Sequence, residues 1–157
     1  MNTQSFVKAI VLAAVFVWAL AIPVYGQVTV VMQIESTEMA VDNTIVELSQ
    51  GTEPKIVNGR ALVPLRVVME ALGGIVIWDE EHMLVTIRDY FNENEIILKI
   101  NSYDSVVNAN KGPDLDVAPM LVSGTTMVPI SFVSKHLGLG LEWEDTTRTI
   151  TIYRDAT

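Results

Sequence analysis

Apolar residues along this chain alternate with polar ones in short runs, and in two places the spacing lengthens to a helical one. Leu65, Val68, Met69 and Leu72 fall at i, i+3, i+4 and i+7, which puts them on one face of a helix. Pro64 stands just before them. Its fixed φ and missing N–H suit the first position of a helix, where that donor would be unpaired anyway. Gly73 follows them, where a left-handed residue would close the helix. The same bracket returns at Pro129 and Gly138, with Ile130, Val133 and Leu137 on the buried side. Helices this short are unstable alone, so each must be held by what it packs on.

A predicted hairpin follows each helix. Ile75 to Trp78 is a short apolar run, Asp79-Glu80-Glu81-His82 a polar turn, and Met83 to Ile87 a second strand. The later copy runs Leu141-Glu142-Trp143, turns at Glu144 to Thr147, and continues through Arg148 to Tyr153. Its alternation Thr149, Ile150, Thr151, Ile152 is that of a strand with one wet face and one buried face.

The likeness of the two stretches is a repeat. Shifted by 65 positions, residues 54–87 lie without a gap on 119–152. Pro54, Val57, Gly59, Val63, Pro64, Leu72, Gly73 and Trp78 all meet an identical partner, and Leu62/Met127 and Val76/Leu141 exchange one apolar residue for another. Outside the repeats, Val28, Val30 and Met32 alternate with their neighbours as an edge strand would. Met39–Leu48 reads as a hairpin around Asp42-Asn43, and Ile96–Ile100 with Ser105–Asn108 as another. The expected fold class is α+β: strands around two short helices, in one domain with internal pseudo-symmetry. Residues 27–38 are an N-terminal strand or linker and 39–157 the domain proper. A half of about 60 residues would bury too little surface to stand comfortably alone.

Asn58-Gly59-Arg60-Ala61-Leu62-Val63-Pro64-Leu65-Arg66, with Glu70-Ala71-Leu72-Gly73 and Trp78-Asp79, resembles the copper amine oxidase N-terminal, or stalk, domain. The resemblance covers roughly Met39 to Arg154. It implies a twisted antiparallel sheet packed around helix, in a module widespread among secreted and surface proteins of Gram-positive bacteria. In the oxidase that domain carries neither copper nor the quinone cofactor. The second copy departs from the pattern, with Ser131 for the arginine and Lys135 for the glutamate, so a role of the family's arginine would pass to Arg66 only.

Residues 1–26 read as a signal peptide. Lys8 is the charge of a short n-region, Ala9 to Ile22 is unbroken apolar sequence, and Val24 and Gly26 suit −3 and −1 of a cut before Gln27. That run is short for a bilayer, which needs about 20 residues; retention as an uncleaved anchor is the alternative. Cleavage removes Lys8 and takes Lys+Arg from 10 to 9 against 19 Asp+Glu, a mature net charge of −10. Nucleic acid and anionic wall polymers are thereby disfavoured as partners, because phosphate binding needs clustered cations. Without cysteine there is no disulfide, thiolate site or lipid anchor. The expected product is secreted or held non-covalently at the cell surface, touching membrane only through the signal segment before cleavage.

Candidate chemistry is sparse. His82 sits in an acidic turn and His136 near the end of the second helix; they are not related by the repeat, and a solvated turn and a partly exposed histidine beside the helix C-terminal dipole are their plainer readings. No nucleophile elbow or phosphate loop occurs. The reading is no enzyme, no catalytic residue, no cofactor and no metal. Candidate ligand contacts are Arg66, Trp78 and Trp143. An exposed indole could stack on sugar, but both tryptophans follow an apolar strand, where core is the favoured reading. Arg66 lies in the first helical turn with Glu70 at i+4, a poor place for a cation unless it has a buried partner or a ligand. Pro64, Gly73, Pro129 and Gly138 are structural. The expected function is a non-catalytic surface module that binds protein or cell-wall polysaccharide. The alternative is an accessory or inhibitor subunit of a soluble secreted hydrolase.

Overall fold

The computed structural model describes residues 27–154. The signal peptide expected over 1–26 lies outside the described residues. In chain order the elements are β1 (Val28–Gln33), β2 (Glu38–Val41), β3 (Thr44–Glu47), β4 (Lys55–Val57), β5 (Arg60–Pro64), α1 (Leu65–Ala71), β6 (Gly74–Asp79) and β7 (Leu84–Asp89). There follow β8 (Glu95–Lys99), β9 (Ser105–Val107), β10 (Asn110–Lys111), β11 (Met120–Val122), β12 (Thr125–Pro129), α2 (Ile130–Leu137), β13 (Gly140–Glu144) and β14 (Thr149–Arg154). The class is α+β, mostly antiparallel sheet with two helices.

Each helix begins where a proline ends a strand. Pro64 and Pro129 have φ −66 with ψ 105 and 110, so they are the last extended residue and the cap, one place earlier than the first helical position expected of them. At the other end Gly73 and Gly138 take φ +77 and +69, the left-handed conformation that glycine adopts without a steric penalty. Leu65, Val68 and Met69 of α1, and Ile130, Val133 and Leu137 of α2, are buried.

The strands form three sheets rather than one. The first has the order β13-β14-β1-β2-β3, the second β10-β9-β8-β7-β6, and the third β11-β12-β5-β4. In the third sheet Val63 faces Val128, flanked by Leu62↔Pro129 and Pro64↔Met127. The first sheet joins the two ends of the described chain, while the second is a run of consecutive antiparallel strands. The β6–β7 hairpin is extended by β8 and β9, and the β13–β14 hairpin by β1 and β2.

This arrangement corrects the reading of the N-terminal stretch. β1 is not an edge strand: it pairs with β14 from Val28↔Arg154 to Gln33↔Thr149 on one side and with β2 on the other. Val30 and Met32 are fully buried. A strand paired on both edges and covered by core tolerates apolar residues on both faces, and Val31, out of phase with them, is buried as well. Residues 28–33 thus belong to the sheet as fully as the repeats do.

The main core is built from both helices and the inner faces of the sheets, with Met32, Val63, Leu65, Met69, Ile87, Leu98, Val128, Leu137 and Ile152 among its members. A smaller cluster on the far side of the third sheet gathers Leu62, Val117 and Met127.

Candidate functional site

The two tryptophans share a local sequence and part company in the fold. Trp78, at the end of β6, packs against the main core. Trp143, on β13, is 45% exposed. Core burial is therefore corrected for Trp143. Both β6 and β13 are outer strands of their sheets, so the difference lies in what stands opposite each indole: beside Trp143 a groove of about 530 Å³ opens. Ile56, Ala61, Ile130, Leu141 and Ile150 make the apolar floor, and Arg60, Ser131, Glu142, Asp145 and Arg148 the polar margin. That size lies within the usual range for small-ligand sites.

Local chemistry orients these margins. The indole Nε1–H of Trp143 donates to Asp145 Oδ1 at 3.3 Å, and the backbone N–H of Thr146 donates to Glu144 Oε1 at 3.0 Å, which fixes the turn after β13. Arg60 Nε donates to Asp116 Oδ2 at 2.8 Å, so that guanidinium already has a carboxylate. Arg148 reaches Glu35 only at 3.9 Å across an exposed gap.

Arg66, singled out as a cation against its local preference, is explained by its partners. Its Nη1 donates to the carbonyl of Val76 on β6 at 3.0 Å, and Glu70 stands 3.6 Å away, with both side chains more than half exposed. The backbone bond is what holds it, since an exposed pair at i,i+4 contributes only about 0.3–0.5 kcal/mol. Arg66 also lines a smaller groove of about 210 Å³ with Glu47, Ser49, Thr52 and Glu70. Arg66 and Trp143 line different grooves, and neither of these two grooves has both in its lining.

The histidines stay apart. His82 Nδ1 lies 2.8 Å from Asp79 Oδ2, and its backbone N–H donates to Asp79 Oδ1, so the acidic turn is closed on itself. That hydrogen bonding lowers the carboxyl pKa of Asp79 below its ordinary value. His136 packs on Phe132 with ring centroids 4.5 Å apart. Burial lowers its pKa, and the neighbouring Lys135 lowers it further. His136 stands partly exposed in the last turn of α2, as expected, and its lowered pKa works against the charged ring that a helix C-terminus favours. Among the described residues no three His, Asp or Glu side chains form a group that could hold a metal ion.

Sequence reasoning passed over a buried ion pair. Arg154, at the end of β14, donates from Nη1 to Asp89 Oδ2 at 2.9 Å and from Nε to the Leu72 carbonyl at 2.9 Å. Its guanidinium lies 4.6 Å from the Phe91 ring centroid. Asp89 also accepts the Phe91 backbone N–H at 3.0 Å. A signal was present in the sequence: Asp89 and Arg154, of opposite charge, each stand two residues after the isoleucine, Ile87 or Ile152, in the second strand of a predicted hairpin.

A family model described as the copper amine oxidase N-terminal domain matches the chain twice, over residues 20–87 and 49–152. No curated protein matches the chain.

Proposed function

The chain belongs to the copper amine oxidase N-terminal domain family, and on that premise we propose that it is a non-catalytic, exported module of the cell surface that works by binding protein or cell-wall glycan. The family match is to the N-terminal domain of the oxidase and not to its catalytic domain, which agrees with a binding role. We also read the chain as two copies of one unit, 65 residues apart, of which the second has changed its surface.

The observation that carries the proposal is the groove at Trp143. An indole left 45% exposed beside an apolar floor forgoes burial that its counterpart Trp78 obtains from the main core. Exposed apolar surface with a polar margin is what a partner covers. Aromatic residues are enriched where binding energy concentrates, since they combine a large apolar face with a polar handle.

The experiment is capture of the purified protein on insoluble cell wall and, separately, from a soluble secretome, comparing the natural protein with Trp143→Ala. Retention on one of the two, lost in the variant, is the expected outcome. Equal retention of both proteins removes the groove from the function. Selective capture of a soluble hydrolase with loss of its activity would favour an accessory or inhibitor role instead.

A further inference from the structure

The two halves of the chain differ at one position in the first turn of their helices. Arg66 stands in the first turn of α1 and sends its guanidinium to the carbonyl of Val76, which stands opposite Ile87 on the edge strand β6. Leu141 stands on the same rung of the other hairpin, opposite Ile152 on the edge strand β13. The residue that takes the arginine's place in the first turn of the second helix is Ser131, whose side chain is too short to make the corresponding bond. Ser131 and Leu141 both line the open groove beside Trp143.

We propose that this groove receives an extended basic peptide segment of another protein, with an arginine guanidinium seated at the Leu141 carbonyl as Arg66 is seated at the Val76 carbonyl. The inference rests on the binding role argued above and narrows its partner to a protein with basic, strand-forming sequence. Three features favour that occupant. Among the described residues β13 is bonded to β14 alone, so its other edge can take an added strand through main-chain hydrogen bonds. Glu142 and Asp145 of the margin and the neighbouring Glu144 lie exposed, while of the two margin cations Arg60 is held by Asp116 and Arg148 reaches Glu35 at 3.9 Å, in a chain of net charge −9. A guanidinium suits the place better than an ammonium, because its planar fork can bond a carbonyl and still lie against the indole of Trp143. A neutral glycan would use the indole and have no need of the acids.

The test is calorimetric titration of the purified protein with a capped pentapeptide carrying one arginine between valine and threonine residues. Its citrulline analogue, neutral and of the same shape, and chitotetraose are titrated alongside. The arginine peptide is expected to bind about tenfold or more tightly than the citrulline peptide, the scale of a charge-assisted bond. Ser131→Arg restores an internal guanidinium and should abolish binding. Should that variant not fold, Glu142→Lys, a reversal at an exposed position, carries the same test and should weaken the arginine peptide alone. Equal binding of the two peptides, undiminished binding by the variant that folds, or no peptide binding overturns the inference. Chitotetraose bound through Trp143 overturns it too, yet leaves the broader binding role standing. That broader role fails only if the cell-wall and secretome captures are both empty.

Discussion

Asp89 and Arg154 form a buried ion pair at 2.9 Å between the last strands of the two hairpins. The Asp89 side chain is fully buried and that of Arg154 nearly so. The pair ties β7 of the second sheet to β14 of the first, and the Arg154 bond to the Leu72 carbonyl adds the end of α1. Arg154 Nη2 has no hydrogen-bond partner, so the pair is incompletely satisfied.

Removing one member of such a pair strands the other. Asp89→Ala is expected to destabilise the fold by about 3–5 kcal/mol, the usual cost of an uncompensated buried charge. The double variant Asp89→Leu, Arg154→Met should recover most of that, since replacing both partners by apolar groups is often near neutral. Urea denaturation of the three proteins measures it. A single variant within about 0.5 kcal/mol of the natural protein would mean that the pair is solvated in solution.

The tryptophans should separate by stability. Trp78→Ala removes a side chain packed on the main core and should cost about 2–4 kcal/mol, somewhat below the penalty for a fully buried indole. Trp143→Ala, at an exposed position, should cost less than about 1 kcal/mol. Melting curves decide this; equal losses would put Trp143 back in the core.

His136 makes stability depend on pH. Burial and Lys135 lower its pKa in the fold, so the folded state prefers the neutral ring while the unfolded chain takes up a proton near 6.5. Its contribution is complete above that value and is lost as pH falls from there toward the lowered folded value. Denaturation midpoints should drop between about pH 7 and 5. His136→Gln should flatten that slope, and an unchanged slope would assign it to other groups.

If the proposed export is right, the mature chain starts at Gln27, and intact mass of the exported protein checks the cut. Recovery of the full-length chain in the membrane fraction as the main form would show a retained anchor.

Copper is the word that the family brings with it. Dialysed against copper with a mild competing chelator, the protein is expected to retain no stoichiometric metal and to show no amine oxidase activity. The thioethers of Met32, Met69 and Met127 are fully buried in apolar clusters, and His82 is committed to Asp79. One bound equivalent, lost on changing His82 or His136, would reveal a site.

Local rules made much of this fold legible in the sequence. The spacing of Leu65, Val68 and Leu72 between Pro64 and Gly73 marks a helix because 3.6-residue periodicity and backbone preferences act within one turn. The hairpins at Asp42 and after Trp78 and Trp143 follow from turn residues flanked by alternation. What the chain could not show along its length was which strands meet. β1 pairs with β14 across nearly the whole chain, and such pairing depends on two surfaces that come together only when the core forms. For the same reason Trp78 and Trp143, alike in local sequence, differ in exposure: each indole is covered or left open by what stands opposite it. The exchange of Arg66 for Ser131 was plain in the sequence. That Ser131 and Leu141 meet in the lining of one open groove was decided by the tertiary structure, because neighbours are set by position in space and not by position in the chain.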